Sequence, residues 1–279
     1  MNLQGRVALV TGASHGIGPF IAEALARRGA RLALVARSRD ELDTQAARID
    51  NMGGSAIAMP ADLLKPHAAD DVVRNVEQRL GAVDMLVNNA GLELVGPLEE
   101  LDPEAIDRIL ALNLRAPLAM AHAALPGMIR RRRGHIVNMA SLAGHLHPPF
   151  YETYVATKAG VIGFSHSLRR SLRGTGVSAS VIVPGFVTRV GMRRYTEDDE
   201  GVGIPAMAGG KPPEAVARAV VRAIRRDRAE IVVAPLRTKL ALWLLGGTSF
   251  RQTLLAISGV DAMYRRLVQR RGHGFTRPG

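Results

Sequence analysis

The feature that most constrains this chain is an alternation of short apolar runs with longer segments whose apolar residues return every three or four positions. Val7 to Val10, Arg31 to Ala36, Ala56 to Met59, Val83 to Val87, His135 to Met139, Val177 to Val183 and Glu230 to Val233 are each four to seven residues long. Several are rich in Val, Ile and Leu and are flanked by Gly, Pro, Asn or Asp, which marks them as buried strands. Between them, Ile17 to Arg28, Glu41 to Met52, Ala68 to Leu80, Glu104 to Arg132, Thr153 to Arg173 and Glu214 to Arg226 have the helical period and the length of a crossover. Parallel neighbours need such long returns, so the order predicts an α/β fold, a doubly wound parallel sheet with helices on both faces. Residues 1–235 form one domain on this reading, and residues 236–279 a basic, partly apolar extension.

Composition narrows the function classes. With 47% hydrophobic and 22% charged residues among 279, the chain is neither disordered nor collagen-like. It has no cysteine, which excludes a disulfide framework and a thiolate nucleophile and suits a reducing, cytoplasmic compartment. Met1-Asn2-Leu3-Gln4-Gly5-Arg6 leads straight into the first strand, so no secretory signal is expected. The late apolar stretch Leu240 to Leu245 stops at Gly246-Gly247, far short of the roughly 20 residues that span a bilayer. The net charge is +12, and 13 Lys/Arg against 3 Asp/Glu lie from residue 218 onward. A basic C-terminus could face nucleic acid, an anionic membrane or an acidic ligand. With 4% aromatic residues and no recognition motif, specific nucleic-acid binding is not expected.

The first strand ends in Thr11-Gly12-Ala13-Ser14-His15-Gly16-Ile17-Gly18, and a helix follows at once. Glycines let the backbone turn and approach a pyrophosphate, while the free N–H groups of the helix start favour its oxygens. Pro19 fits the first turn, where an N–H has no helical partner anyway. The second strand should end near the adenosine ribose. A carboxylate there would bind the 2′-hydroxyl, but this chain has Ala36 and Arg37. Arg37 can pair with a 2′-phosphate, with Ser14 and His15 as further donors, so NADP(H) is the expected cofactor.

Tyr154 and Lys158 are four residues apart in a helical segment and therefore share a face. A phenol near pKa ~10 is a poor base, but a neighbouring ammonium favours phenolate. Tyr154 could then give a proton to a carbonyl oxygen or take one from an alcohol. The spacing alone is common on amphipathic helices. Ser141 after the fifth strand and Asn113 on the long preceding helix supply the context.

With these motifs in this order, the chain resembles the short-chain dehydrogenase/reductase family over roughly residues 5 to 235. The match comprises the glycine loop, Asp62 after the third strand, Asn88-Asn89-Ala90-Gly91 after the fourth, Asn113, Ser141, Tyr154 with Lys158, and Pro184-Gly185. The resemblance implies a Rossmann fold in which Tyr154 is the acid/base and Ser141 polarises the substrate oxygen. Lys158 would bind the nicotinamide ribose and depress the Tyr154 pKa, and Asn113 would hold a relay water. It further implies that Asp62 and Leu63 contact the adenine, that Asn89, Ala90 and Gly91 line the cofactor cleft, and that Pro184, Gly185 and Thr188 flank the nicotinamide. A homodimer or homotetramer is the implied assembly.

Specificity should lie in the loops beyond the strand ends, where ligands of such sheets sit. His145, Leu146, His147, Pro148, Pro149 and Phe150 form one wall; Glu93, Leu94 and Val95 bring a single carboxylate to another. No metal site is expected, and Tyr151 is a cleft residue, because its fourth neighbour is Val155 rather than a cation. The amphipathic stretch 236–268 either caps the cleft or packs on a second subunit, or else touches an anionic membrane. The reading is an NADP(H)-dependent reductase or dehydrogenase acting on a small, apolar carbonyl or alcohol substrate; the alternative is a non-catalytic dinucleotide-binding sensor or scaffold.

Overall fold

The computed structural model describes residues 1–190, 209–244, 259–271 and 275–278. Part of the Gly/Pro-rich loop expected from Gly201 to Pro213, and residues 245–258 of the C-terminal stretch, lie outside the described residues.

Each of the seven predicted apolar runs is a strand. In chain order these are β1 (Val7–Thr11), β2 (Arg31–Ala36), β3 (Ser55–Pro60), β4 (Val83–Asn88), β6 (Gly134–Met139), β7 (Val177–Pro184) and β8 (Glu230–Val233), with a short β5 (Leu92–Val95) set apart. They pair in the order β3-β2-β1-β4-β6-β7-β8, all in parallel. Every residue of β1, β4 and β6 is buried, as both-face coverage requires, and this is why these strands read as continuous apolar runs. The chain leaves β1 toward β2 on one side and reaches β4 on the other. That reversal opens a crevice beyond the carboxyl ends of β1 and β4.

The crossover helices are α1 (Gly18–Ala26), α2 (Arg39–Asn51), α3 (Ala68–Leu80), α4 (Pro103–Leu110), α5 (Ala116–Arg130), the short α6 (Ala143–Leu146), α7 (Glu152–Ser171) and α8 (Pro213–Arg226). Ile21, Leu25, Val216, Val220 and Ile224 of α1 and α8 fill one face of the sheet; Val72, Val76, Met120, Ala124 and Met128 of α3 and α5 fill the other. The single long helix expected from Glu104 to Arg132 is α4 and α5 joined through a π-turn at Ala111–Arg115, where the Ala116 N–H reaches back to the Ala111 carbonyl. Pro117 is the local cause: it has no N–H to give to the Asn113 carbonyl, so regular α-bonding cannot continue there. By length and composition alone, the span Pro103–Arg130 could cross a membrane, but α5 lends its buried face to the sheet.

The chain beyond β8 continues as α9 (Leu236–Leu244), α10 (Val260–Arg271) and β9 (Phe275–Pro278). Val260, Met263, Tyr264 and Leu267 fall on one face of α10 and are buried against Leu94, Val95, Leu101, Ala105, Ile109, Tyr151 and Tyr154. At about 1.5 to 3 kcal/mol for each large apolar side chain removed from water, this face is ample to hold the helix down. β9 then pairs antiparallel with β5, Val95 opposite Phe275 and Glu93 opposite Arg277. The apolar face expected to cap the cleft, join a subunit or touch lipid is turned inward along α10, whereas Leu236 and Leu240 of α9 are exposed.

Candidate active site

The crevice begins at the glycine loop. Gly12 and Gly16 adopt left-handed φ angles of 64° and 61°, and a Cβ on Gly12 would meet the Ala90 backbone at 2.8 Å. Thr11 Oγ1 accepts from the Asn89 and Ala90 N–H groups at 3.0 and 3.1 Å, and the Asn89 amide donates to the carbonyls of Thr11 and Gly12. The loop is thus braced from behind by Asn89, which leaves its outer side to the crevice. Ile17 stands at the N-cap of α1 without a side-chain hydrogen bond to the helix start, and Pro19 lies in its first turn. These donors fit a pyrophosphate, which would complete the uncapped end.

At the end of β2, Arg37 and Arg39 are exposed and Ala36 is half-buried. Ser14 Oγ lies 2.9 Å from His15 Nδ1, and His15 Nε2 lies 2.7 Å from Glu41 Oε1. Ser14 and His15 therefore share this corner with a carboxylate that sequence inspection passes over, because Glu41 reads as one more charge on α2. Asp62 closes its own turn by accepting from the Leu64 N–H at 3.0 Å, with Leu63 beside it. On the far side, Thr188 donates its N–H to the Lys211 carbonyl and Gly185 donates to Val233, so the segment after Pro184 is tied to the sheet edge.

Asn113, Ser141, Tyr154 and Lys158 meet at the carboxyl ends of β4 and β6. The Lys158 ammonium, 6% exposed, donates to the Met139 carbonyl at 3.2 Å and lies 5.4 Å from the Tyr154 ring centre. Burial pushes it down from its ordinary 10.5 to about 8, with the Glu93 charge opposing. Gly91 passes so close that a Cβ there would stand 3.5 Å from the ammonium. The Tyr154 phenol goes the other way. Burial first and the Glu93 charge second hold it well above its usual value, and a hydrogen bond with Ser141 opposes them. Desolvation thus acts against the acidification of the phenol expected from Lys158. Asn113 spends its side-chain amide on Leu92, accepting from the N–H and donating to the carbonyl, both at 2.8 Å. It anchors β5 beside the site.

The substrate side is aromatic. Tyr151 and Tyr154 have ring centres 4.6 Å apart, and Tyr264 of α10 lies 5.1 Å from Tyr151. Arg265 covers the Phe150 ring at 5.7 Å, and Phe150 itself holds a left-handed φ of 61° in the turn between α6 and α7. The histidines of this wall are engaged or turned outward: His145 Nε2 is 3.1 Å from Glu230, which also meets His166 at 2.8 Å, and His147 is exposed. Among the described residues no cluster suited to a metal occurs. Tyr264 is the site residue missed by sequence inspection; the apolar spacing 260, 263, 264, 267 was the available signal.

Comparison with known proteins agrees with this arrangement. A family model described as short chain dehydrogenase matches residues 6–201. Over 265 residues, 94% of this chain and 89% of the relative, the sequence is 37% identical to the ketoacyl reductase HetN of Nostoc sp.. It is 35% identical over 218 residues, 77% of this chain and 88% of the relative, to the 3-oxoacyl-[acyl-carrier-protein] reductase FabG of Vibrio cholerae. The crystal structure of a metagenomic short-chain oxidoreductase in complex with NADP superposes with a TM-score of 0.71 at 34% identity, covering 84% of this chain and 99% of that one.

Proposed function

This chain belongs to the short-chain dehydrogenase family, and on that premise we propose that it reduces a carbonyl to an alcohol with NADP(H), Tyr154 serving as the proton donor. The observation that carries the reading is the convergence of Tyr154, Ser141 and Lys158 at the mouth of a crevice whose other end is an uncapped glycine loop. A sensor or scaffold would need the loop but not a buried phenol bonded to a serine hydroxyl. When bound, the nicotinamide supplies the hydride.

The protein's part is to hold and move a proton. A phenol kept well above its usual pKa is protonated at neutral pH, which suits donation to a carbonyl oxygen as charge develops there. Ser141 bonds to that phenol and so aligns the oxygen between the two hydroxyls. Lys158, near half-protonated at about pH 8, can restore the proton and bind the ribose. Arg37, with Arg39 beside it and no acidic residue at position 36, favours a 2′-phosphate; Glu41 is better suited to holding His15. The names of the relatives put 3-oxoacyl thioesters first among substrates. Cytoplasmic location and a homodimer or homotetramer go with the reading, and lipid contact through residues 236–268 would, among the described residues, involve exposed Leu236 and Leu240.

The test is NADPH consumption against 3-oxoacyl thioesters, aldehydes and steroid-like ketones, run beside Tyr154→Phe. Turnover should fall by about 100-fold or more with cofactor binding kept. Equal turnover in both proteins would refute the assignment.

A further inference from the structure

Two histidines on the helices that flank the candidate site share one glutamate. Glu230 opens the edge strand β8, and its carboxylate meets His145 Nε2 at 3.1 Å through one oxygen and His166 Nε2 at 2.8 Å through the other. The bond to His145 first, helped by the bond to His166 and opposed by burial, holds the carboxyl below its usual value. Glu230 is therefore ionised and can only accept, so each imidazole donates its Nε2–H. His145 belongs to α6 and His166 to α7, the helix that carries Tyr154 and Lys158. One carboxylate thus ties the two helices together.

The tie matters because α6 is a single turn of four residues, too short to hold its own shape. It is continuous with Ser141, whose Oγ accepts from the Ala143 N–H at 3.2 Å and whose carbonyl accepts from the Gly144 N–H at 3.0 Å. A shift of the turn would carry the Ser141 hydroxyl with it. Gly144 sets how near α6 comes to α7, since a Cβ there would stand 2.9 Å from the Lys158 carbonyl carbon and the Ala159 nitrogen. Close packing limits approach but does not prevent separation. We propose that Glu230 is a positioning residue: by bridging His145 and His166 it holds α6 against α7 and keeps the Ser141 hydroxyl on the Tyr154 phenol. The inference rests on the carbonyl-reducing reading for what those two hydroxyls do. The Glu230 side chain bonds to the two histidines and to none of Ser141, Tyr154 and Lys158, so its effect passes through Ser141.

The experiment uses the full chain and two readouts, NADPH consumption with whichever of the thioesters, aldehydes and ketones named above the parent reduces fastest, and hydrogen exchange at the α6 amides of His145, Leu146 and His147. Glu230→Ala is expected to lower kcat on the order of tenfold while the KM for NADPH stays within about twofold. Glu230→Gln, whose amide can accept from one imidazole and donate to the other, should return kcat to within about threefold of the parent. In a Ser141→Ala background, Glu230→Ala should cost less than about twofold more, because the group it positions is gone. The α6 amides should exchange at least about tenfold faster in Glu230→Ala and at the parent rate in Glu230→Gln. Should Glu230→Ala fail to fold, His145→Leu removes the α6 arm alone and is read the same way. Unchanged exchange, parent-like turnover, a Glu230→Gln protein as slow as Glu230→Ala, or a full further loss in the Ser141→Ala background overturns the proposal. No NADPH consumption by the parent, with exchange responding as expected, would strike the reductase reading and leave the bridge that holds α6 standing.

Discussion

Lys158 sends its ammonium from the middle of α7 to the carbonyl oxygen of Met139 at the end of β6, 3.2 Å away. The bond fixes a charge in a place that burial makes unfavourable for it, and the ammonium is pushed down from 10.5 to about 8. The unfolded chain keeps its proton to a higher pH than the folded one. Folding therefore releases a proton between about pH 8 and 10.5, and on this account stability rises with pH across that window.

Lys158→Met should consequently stabilise the ligand-free protein while abolishing turnover. The relief is about 3 kcal/mol, offset in part by about 1 kcal/mol for the lost bond to Met139. We expect the melting temperature at pH 7 to rise by roughly 2 to 6 °C. A variant that melts below the parent in a calorimetric scan would contradict the burial argument.

His135 gives a pH dependence of the same sign at the acid end. Its ring is buried and lies 2.7 Å from Ser180 Oγ, which itself donates to the Arg228 carbonyl, so the imidazole Nε2 acts as the donor to Ser180. Burial lowers its pKa from 6.5 to about 4, with Asp227 opposing and Arg169 assisting. A neutral folded imidazole contributes stability in full above about pH 6.5 and loses it as pH falls toward 4. Urea denaturation of His135→Gln should show a shallower fall between pH 7 and 4.5, by up to about 3 kcal/mol. Parallel curves for the two proteins would remove His135 as the cause.

At the cofactor end, Ala36→Asp combined with Arg37→Ala exchanges a phosphate partner for a ribose partner. Fluorescence titration should show NADPH affinity falling at least tenfold and NADH affinity holding or rising. A parent that already prefers NADH would defeat the assignment of Arg37.

Two glycines separate packing from propensity. A Cβ on Gly18 would stand 1.9 Å from the Gly12 carbonyl oxygen, whereas one on Gly163 has nothing within 4 Å. Gly18→Ala should cost more than ~2 kcal/mol and weaken dinucleotide binding, because the loop must shift. Gly163→Ala, inside α7, should stabilise by roughly 0.5 to 1 kcal/mol. Similar denaturation midpoints for the two variants would mean that the glycine loop yields more readily than its packing indicates.

The sheet and its crossovers were legible because each strand is short, continuous and buried on both faces, so periodicity carries the information locally. β5 was not. It is four residues long, includes a glutamate, and owes its existence to Asn113 and to β9, which lies about 180 residues away. The residues of the candidate site could be named from their order along the chain, but their electrostatics could not. Tyr154 four residues before Lys158 suggests an acidified phenol, yet the burial supplied by α10 and the charge of Glu93 raise it instead. The π-turn at Ala111–Arg115 had a readable cue in Pro117, four residues after Asn113.

The pairing of β5 with β9 also sets an order of events during synthesis. Val95 leaves the ribosome long before Phe275 exists, while every strand of the parallel sheet is made by Val233. The half that holds the dinucleotide can thus fold on the nascent chain, with the aromatic pocket open until translation reaches its last partners. For that interval β5 is an unpaired edge beside exposed tyrosines, a stretch that a chaperone would protect.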